Sequence, residues 1–259
     1  MPDWQERITR ETPPQIRLEH AVRYAAAVPL IAGGSWCDLG SGTGLAAVEA
    51  GASPKRALFV DVDNDVAVEA AARFPDTEAR DIALDLSQDD AVQALRDLLA
   101  DWDDICITCF ELIEHLGDFG PLLRFLVERA EAGATIVLSV PNDALTGVDN
   151  PFHSATWGEG SLAELRSLLP EHRAFEQVAI AGSALRGSDD APGDVSLDVR
   201  IEPVAGPSHM LVAFGPRAGD VATPVRAKAV DANEHLLWER QREADLAFFK
   251  ARLALLEKQ

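Results

Sequence analysis

Apolar runs and amphipathic segments alternate along the chain as far as Pro141. The runs ALFVDVD, DICITCF and ATIVLSV are short and rich in branched apolar residues, which predicts buried strands. The intervening segments QDDAVQALRDLLA and PLLRFLVERA carry apolar residues at helical spacing, which predicts helices packed on one side. Alternating strands and helices are typical of the α/β class with a doubly wound, mostly parallel sheet.

The two ends of this alternating region follow other patterns. Before it, the segment QIRLEHAVRYAAAV follows two prolines and predicts an N-terminal helix. After it, SLAELRSLLP predicts a short helix with Ser161 as its N-cap and Glu164 completing a capping box. The segments FEQVAIAG, 195–201 and HMLVAFG predict strands, of which 195–201 alternates between apolar and polar residues. We therefore expect antiparallel strands to be added late to the sheet.

The charge balance restricts the partners of the protein. The chain has 43 acidic and 23 basic residues among 259, so its formal net charge is −20. A surface of that sign repels phosphate backbones, which disfavours a nucleic-acid partner, and it slightly favours a cationic ligand.

The three cysteines are too few for a disulfide scaffold, which favours a reducing compartment, and we expect a cytoplasmic location. Cys106 and Cys109 form a CxxC motif, but they lie in a predicted strand, where residues three apart point to opposite faces. We therefore expect them to pack in the core. The segment MPDWQERITR lacks a signal-peptide core, and no apolar run approaches the roughly 18 residues of a membrane span.

A glycine-rich turn lies between the first predicted strand and the next helix, in the segment DLGSGTG from Asp38 to Gly44. Glycines there permit a sharp turn and let a ligand approach the main chain. A dinucleotide fingerprint requires glycine or alanine three residues after its second glycine, which is Gly42, and this chain has Leu45. The spacing thus disfavours a nicotinamide-dependent dehydrogenase.

Carboxylates follow the next two predicted strands. Asp61 ends the second strand, where a carboxylate can accept hydrogen bonds from both ribose hydroxyls, and Asp63 or Asn64 is expected to cap the following helix. Asp85 follows the third strand and has two interpretations: it accepts a hydrogen bond from an adenine amino group, or it is an ordinary surface-loop aspartate.

Together, the motifs CDLGSGTG, FVDVD, LDL and CFELIEHL resemble those of the class I S-adenosylmethionine-dependent methyltransferases. The resemblance covers residues 16–169 and implies a Rossmann-like sheet of seven strands. EHAVRYAAAV and the pair SVPN and NPFHSATW resemble segments of the enzymes that modify glycans and polysaccharides. FELIEHL resembles both that group and the ubiquinone-type O-methyltransferases.

The resemblance implies a cofactor site built from the N-terminal helix and from the ends of four strands. Its residues are Arg23, Tyr24, Asp38, Gly40, Ser41, Gly42, Gly44, Asp61, Val62, Asp85, Leu86, Cys109 and Phe110. Within this set, Arg23 and Tyr24 would close over the methionine carboxylate of S-adenosylmethionine. Asp61 would hold the ribose, and Asp85 and Leu86 would flank the adenine. By the same resemblance, Cys109 and Phe110 would line the pocket near the sulfonium.

On the basis of this resemblance, we predict that the chain has three parts: an N-terminal helical cap (1–30), the Rossmann-like domain (31–228) and a long C-terminal helix (229–259). The C-terminal helix carries apolar residues at 3-4-3 spacing, namely Leu246, Phe249, Leu253 and Leu256. This seam is compatible with a homodimer through the helix and with a helix that folds back onto its own domain.

A second group of polar residues indicates chemistry beside the cofactor. Glu111, Glu114 and His115 are spaced to share one face if they begin a helix, and His153 in a later loop is a candidate fourth member. This set predicts either a divalent cation, with magnesium or manganese favoured, or an acid/base group. The alternative is structural: Glu114 pairs with backbone and His115 is a buried, hydrogen-bonded histidine.

We predict that the protein methylates a hydroxyl of a small molecule or glycan, with Glu111, His115 and His153 as catalytic residues. The His and Glu motif also resembles that of metal-dependent RNA 3′-end 2′-O-methyltransferases, which the net charge of −20 disfavours. A further alternative is a non-catalytic module that assembles through its C-terminal helix. The intact glycine turn and Asp61 count against that alternative, and methylation of an amine stays open.

Overall fold

The computed structural model describes residues 7–146, 153–178 and 207–223 of the chain. Within these ranges it forms a seven-stranded sheet in the order β3-β2-β1-β4-β5-β7-β6. The first five strands are parallel to one another, whereas β7 runs antiparallel to both β5 and β6. The prediction of a doubly wound, mostly parallel sheet with a late antiparallel strand is therefore confirmed.

The strands differ in burial according to their place in the sheet. They are β1 (Ser35–Leu39), β2 (Arg56–Asp61), β3 (Glu78–Ala83), β4 (Ile105–Phe110), β5 (Thr135–Pro141), β6 (His172–Gln177) and β7 (His209–Phe214). All residues of β4 and β5 are buried, which explains their continuous apolar sequences. The edge strands β3 and β6 are largely exposed and correspondingly polar.

The helices connect the strands and cover the two faces of the sheet. They are α1 (Pro14–Ile31), α2 (Leu45–Glu49), α3 (Asn64–Ala72), α4 (Asp89–Leu98), α5 (Gly120–Glu131), α6 (Asp143–Thr146) and α7 (Glu159–Leu168). None of the helices in the described ranges combines the length and the apolar character needed to traverse a lipid bilayer.

The apolar core lies in two layers, one on each face of the sheet. One layer contains Leu95, Phe125 and Leu138, and the other contains Trp36 and Phe59. Cys106 belongs to the layer with Trp36, and Cys109 belongs to the layer with Leu138. The three cysteines are buried, free thiols, which confirms that the CxxC motif packs in the core.

Several predicted boundaries need correction. Helix α7 begins at Glu159 rather than after Ser161, because Ser161 lies inside the first turn and its Oγ accepts a hydrogen bond from the Gly158 N–H at 2.8 Å. Ser161 therefore caps the helix from within, and Glu164 completes no capping box. The strand predicted at 195–201 and the C-terminal helix 229–259 lie outside the described residues, so the division into three parts stays a prediction.

Candidate active site

The residues singled out by the sequence meet at the carboxyl edge of the parallel strands. Asp38 lies near the end of β1, Asp61 ends β2 and Phe110 ends β4. Because parallel strands all end at the same edge, and the sheet order reverses direction between β1 and β4, a crevice forms there.

The glycine turn has the open backbone that a ligand requires. Gly40, Gly42 and Gly44 have φ values of 70°, 51° and 72°, which side chains of L-residues rarely tolerate. A Cβ atom on Gly44 would lie 3.1 Å from the Ala70 Cα, so close helix packing explains this glycine. A Cβ on Gly42 would meet nothing within 4 Å, so the turn leaves open space beside Gly42.

Asp61, the predicted ribose residue, lies directly against this turn. Its Oδ2 accepts a hydrogen bond from the Gly42 N–H, and its Oδ1 accepts one from the Asp63 N–H, both at 3.0 Å. Asp63 caps helix α3 by accepting from the Asp65 N–H at 3.0 Å, which confirms its predicted role. Arg7, which the sequence analysis missed, pairs with Asp63 at 3.0 Å and with Asp61 at 3.5 Å.

Asp38 is a fully buried carboxyl group with two neutral hydrogen-bond donors. It accepts from the Tyr24 hydroxyl at 2.9 Å and from the Thr108 hydroxyl at 2.5 Å. Burial raises the pKa of Asp38 to about 7, although both hydrogen bonds act in the opposite direction. No cation is hydrogen-bonded to Asp38 among the described residues, so a bound ammonium group would compensate its charge.

Arg23 is a buried cation that the described residues only partly satisfy. It is 1% exposed, and its Nη1 donates to the Gln177 Oε1 at 3.1 Å. Its Nε and Nη2 are buried without a hydrogen-bond partner among the described residues. An unpaired buried guanidinium is costly, so the site fits a ligand that carries a carboxylate.

The residues predicted to lie near the adenine differ in their exposure. Val62 is 66% exposed, beside Asp61, and can cover a flat apolar ligand, whereas Leu86 is buried. The Asp85 carboxylate accepts from the N–H and the hydroxyl of Ser87, at 3.1 and 2.6 Å, so its described contacts are those of a surface turn. An adenine contact from Asp85 stays a prediction.

At the end of β4, Cys109 and Phe110 are both buried. The Phe110 ring contacts the Tyr24 ring edge-on, at 4.9 Å between centroids. The N-terminal helix therefore packs against the strand end at which the sulfonium pocket is predicted. Ser41 is also buried, within the glycine turn.

The helix on which the alignment of Glu111 with Glu114 and His115 depended does not form. Only a single 3₁₀ turn forms, at Ile113–His115, and Glu111 precedes it with a φ of 50°. The turned backbone directs the Glu111 carboxylate away from the cluster described next. It accepts from the Ser139 hydroxyl at 2.7 Å and pairs with the His209 Nε2 at 3.2 Å.

The contacts with Ser139 and His209 consequently favour the ionised form of Glu111. Burial raises the pKa of its carboxyl, but the Arg23 guanidinium and the hydrogen bond from His209 outweigh this effect, so that the pKa lies well below its usual range. As the structure stands, Glu111 is not a member of a metal-ligating set.

The other three predicted ligands do come together. One ligand atom from each of Glu114, His115 and His153 lies within 4.8 Å of the others, and the two imidazole rings are 5.1 Å apart. Glu114 is 1% exposed, and neither carboxylate oxygen has a hydrogen-bond partner among the described residues. Burial, reinforced by the negative charge of Glu111, raises the pKa of Glu114 well above its usual range.

The loop that carries His153 is fixed to the 3₁₀ turn by backbone contacts. The Ser154 N–H donates to the Glu114 carbonyl at 2.7 Å, and the Ser154 hydroxyl donates to the His115 carbonyl at 3.1 Å. His153 Nδ1 contacts the Asp143 Oδ1 at 3.1 Å. These bonds bring His153, 38 positions beyond His115 in the sequence, to the same cluster.

The sequence analysis missed several polar residues at this edge, namely Arg7, Ser139, Asp143, Gln177 and His209. Gln177 and His209 face each other across β6 and β7, and His209 also faces Pro141 of β5. Because β7 runs antiparallel, its first residue lies where the parallel strands end. A polar first residue before the apolar run MLVAF was the available signal, but its use required the strand order.

Comparisons with known proteins agree with this description. Residues 13–179 match the family model of a methyltransferase domain, which is more than half of the chain. A comparison with curated proteins finds no match.

Three solved structures illustrate the similarity of the fold. The methyltransferase domain of bacterial CtHen1-CN is 17% identical, with a TM-score of 0.50, over 78% of this chain and 100% of that one. A SAM-dependent methyltransferase from Archaeoglobus fulgidus is 16% identical, with a TM-score of 0.49, over 76% and 93%. The N-methyltransferase NodS from Bradyrhizobium japonicum, solved with S-adenosylhomocysteine, is 15% identical, with a TM-score of 0.47, over 79% and 88%. At 17% identity, the similarity to the CtHen1-CN domain supports the fold alone.

Proposed function

We propose that this chain, which belongs to the class I S-adenosylmethionine-dependent methyltransferases, methylates a hydroxyl group of a small molecule or sugar with the help of a divalent cation. The observation that carries the proposal is the Glu114 carboxylate, which is buried without a hydrogen-bond partner among the described residues and lies beside two imidazoles. Ionisation of a buried carboxyl is costly unless the charge is paired, which is why burial raises the pKa of Glu114, and a cation at this point would pair the ionised form.

The cofactor-binding residues support this assignment independently of the acceptor. The two unpaired nitrogens of Arg23 suit the methionine carboxylate, and Asp38 suits the methionine ammonium. Asp61 and the Gly42 turn are joined by a hydrogen bond, so the ribose site is contiguous with the site for the amino acid. When bound, S-adenosylmethionine supplies a methyl carbon made electrophilic by its positive sulfur.

The cation-binding residues fit magnesium or manganese. Glu114 offers carboxylate oxygens, and His115 and His153 offer imidazole nitrogens, a mixed set that leans toward manganese. A cation held there supplies a Lewis acid that lowers the pKa of a nearby hydroxyl.

The protein residues also have roles that do not need the cation. His115 and His153 can accept the acceptor's proton as the carbon–oxygen bond forms, because a neutral imidazole carries one nitrogen lone pair. The hydrogen bonds of Ser154 to the 3₁₀ turn hold these two rings together, and holding an acceptor in line with the methyl group can contribute about 7–11 kcal/mol. An amine acceptor needs less proton removal, so the two imidazoles favour a hydroxyl.

The net charge supports a neutral or cationic acceptor. At −20, the protein repels polyanions, and an RNA acceptor would have to overcome that repulsion. Three free cysteines, all buried, suit a reducing compartment, and we propose a cytoplasmic enzyme on that basis. A homodimer formed through residues 229–259 stays part of the proposal and is tested by the molar mass in solution.

The test combines calorimetry with a transfer assay on the full chain. We expect manganese to bind the wild type, and labelled S-adenosylmethionine to methylate members of a panel of sugars and small alcohols in a chelator-sensitive manner. Glu114→Gln should abolish manganese binding and leave binding of S-adenosylhomocysteine unchanged. Glu164→Gln, on the exposed side of α7, is the matched control.

Two results would contradict the proposal. Wild-type activity that persists after complete removal of divalent cations would eliminate the cation. Transfer to short RNA but to none of the hydroxyl compounds would replace the acceptor class, and absence of any binding of S-adenosylhomocysteine would favour a non-catalytic assembly module.

A further inference from the structure

Asp143 is a carboxylate outside the proposed ligand set that contacts one of its members. It is the first residue of α6, directly after β5, and its side chain is 10% exposed. Its Oδ1 lies 3.1 Å from the His153 Nδ1, and its Oδ2 accepts a hydrogen bond from the Trp157 N–H at 2.7 Å. The sequence offered no signal for this contact, because the two partners come from different segments.

The two contacts determine where the proton of His153 lies. A carboxylate oxygen only accepts hydrogen bonds, so the Nδ1 that faces it must carry a hydrogen. In a neutral imidazole the other nitrogen, Nε2, then has a free lone pair. That lone pair is what a metal ligand or a general base requires.

We propose that Asp143 is a positioning residue that fixes the Nδ1–H tautomer of His153 and so presents a bare Nε2 to the active site. The inference rests on the proposed function for its consequence, since His153 must act as a ligand or base. Its physical content concerns His153 alone, and it is testable without a cation. Carboxylates that hold a ligating histidine in this way typically change metal affinity by roughly 10- to 100-fold when mutated.

The backbone N–H of Trp157 allows a single substitution to reverse the tautomer of His153. The Trp157 N–H is a fixed donor, so an asparagine at position 143 must direct its carbonyl oxygen toward it. The amide NH₂ then faces the His153 Nδ1, which can accept only if it is unprotonated. Asp143→Asn therefore moves the proton to Nε2 and removes the lone pair, although the side chain keeps its size.

The experiment measures the tautomer and the affinity separately. Imidazole ¹⁵N shifts of the full chain, recorded without cation at mildly alkaline pH, identify which nitrogen carries the proton. The chain has six histidines, so the spectrum of His153→Gln assigns the signal. We expect Nδ1–H in the wild type and Nε2–H in Asp143→Asn, with manganese affinity lower by roughly 10- to 100-fold. Asp90→Asn, an exposed aspartate on α4, is the control and should behave as the wild type.

A second variant separates tautomer control from a merely structural role. Asp143→Ala removes the contacts with His153 and Trp157 but imposes no tautomer, so its manganese affinity should lie between those of the wild type and Asp143→Asn. If Asp143→Ala binds manganese more weakly than Asp143→Asn, Asp143 only holds the loop in place and the proposal is overturned. It is also overturned if His153 keeps the same tautomer in wild type and Asp143→Asn.

Failure of the proposed function gives a different pattern. If the tautomer inverts as expected but the wild type binds no manganese, the inference stands and the cation does not. In that case methyl transfer rates, rather than manganese affinities, should decrease from the wild type to Asp143→Ala to Asp143→Asn. A general base needs the same unprotonated nitrogen as a metal ligand.

Discussion

The buried carboxyl of Asp38 should make cofactor binding depend on pH. Burial raises its pKa from an ordinary value of 3.8 to about 7, while the Tyr24 and Thr108 hydroxyls donate to it. We propose that the cofactor's ammonium group binds Asp38, and it can form an ion pair only with the ionised form. Affinity should therefore fall about tenfold for each pH unit below the pKa, or about 100-fold at two units below it.

The same shift has a consequence for stability. Because the pKa is higher in the folded protein than in the unfolded chain, the folded state binds the proton more tightly. The stability that this protonation contributes is complete below pH 3.8 and is lost as the pH rises through about 7. The difference of about 3 pH units corresponds to about 4 kcal/mol, which a bound ammonium group would offset.

Calorimetric titration with S-adenosylhomocysteine between about pH 5 and pH 7 measures this dependence, and these limits follow from the pKa of about 7. Asp38→Asn is the matched variant, because it keeps the size of the side chain and cannot ionise. The affinity of Asp38→Asn for S-adenosylhomocysteine should be low and independent of pH. Any pH dependence that arises from the histidines would appear equally in the wild type and in Asp38→Asn. An affinity of the wild type that does not change across this range would refute the reasoning.

Three further changes test other parts of the site. Gly44→Ala should lower the free energy of unfolding by more than Gly51→Ala. Both positions have a positive φ, which costs an alanine about 1–2 kcal/mol, but only a Cβ at position 44 would also meet Ala70. Urea titration of the two variants measures the difference. Arg23→Met should weaken S-adenosylhomocysteine binding by about 1.5–3 kcal/mol per lost charged hydrogen bond, as calorimetry would measure. It should also lower the melting temperature of the free protein, because Arg23 donates to Gln177 and its charge lowers the pKa of Glu111; unchanged binding would contradict the assignment of its two unpaired nitrogens to the ligand. Manganese at about 100 times its dissociation constant should stabilise the wild type by about 2.7 kcal/mol and leave Glu114→Gln unchanged, as thermal unfolding with and without chelator would reveal.

The sequence by itself determined the parts of this protein that depend on local pattern. The buried strands β4 and β5 appear as continuous apolar runs, and the glycine turn appears as closely spaced glycines after a strand. Asp63 as a helix cap follows from its position before α3. These features were predictable because each arises from residues that are neighbours along the chain.

Only the tertiary structure decided how the polar side chains pair. The helical spacing of Glu111 and Glu114 was misleading, since a positive φ at Glu111 turns its carboxylate toward His209 of the antiparallel strand β7. Asp143 and His153 meet because Ser154, next to His153, is hydrogen-bonded to the 3₁₀ turn. Such contacts depend on strand order and loop path, which are set by packing of the whole domain and leave no periodic trace in the sequence.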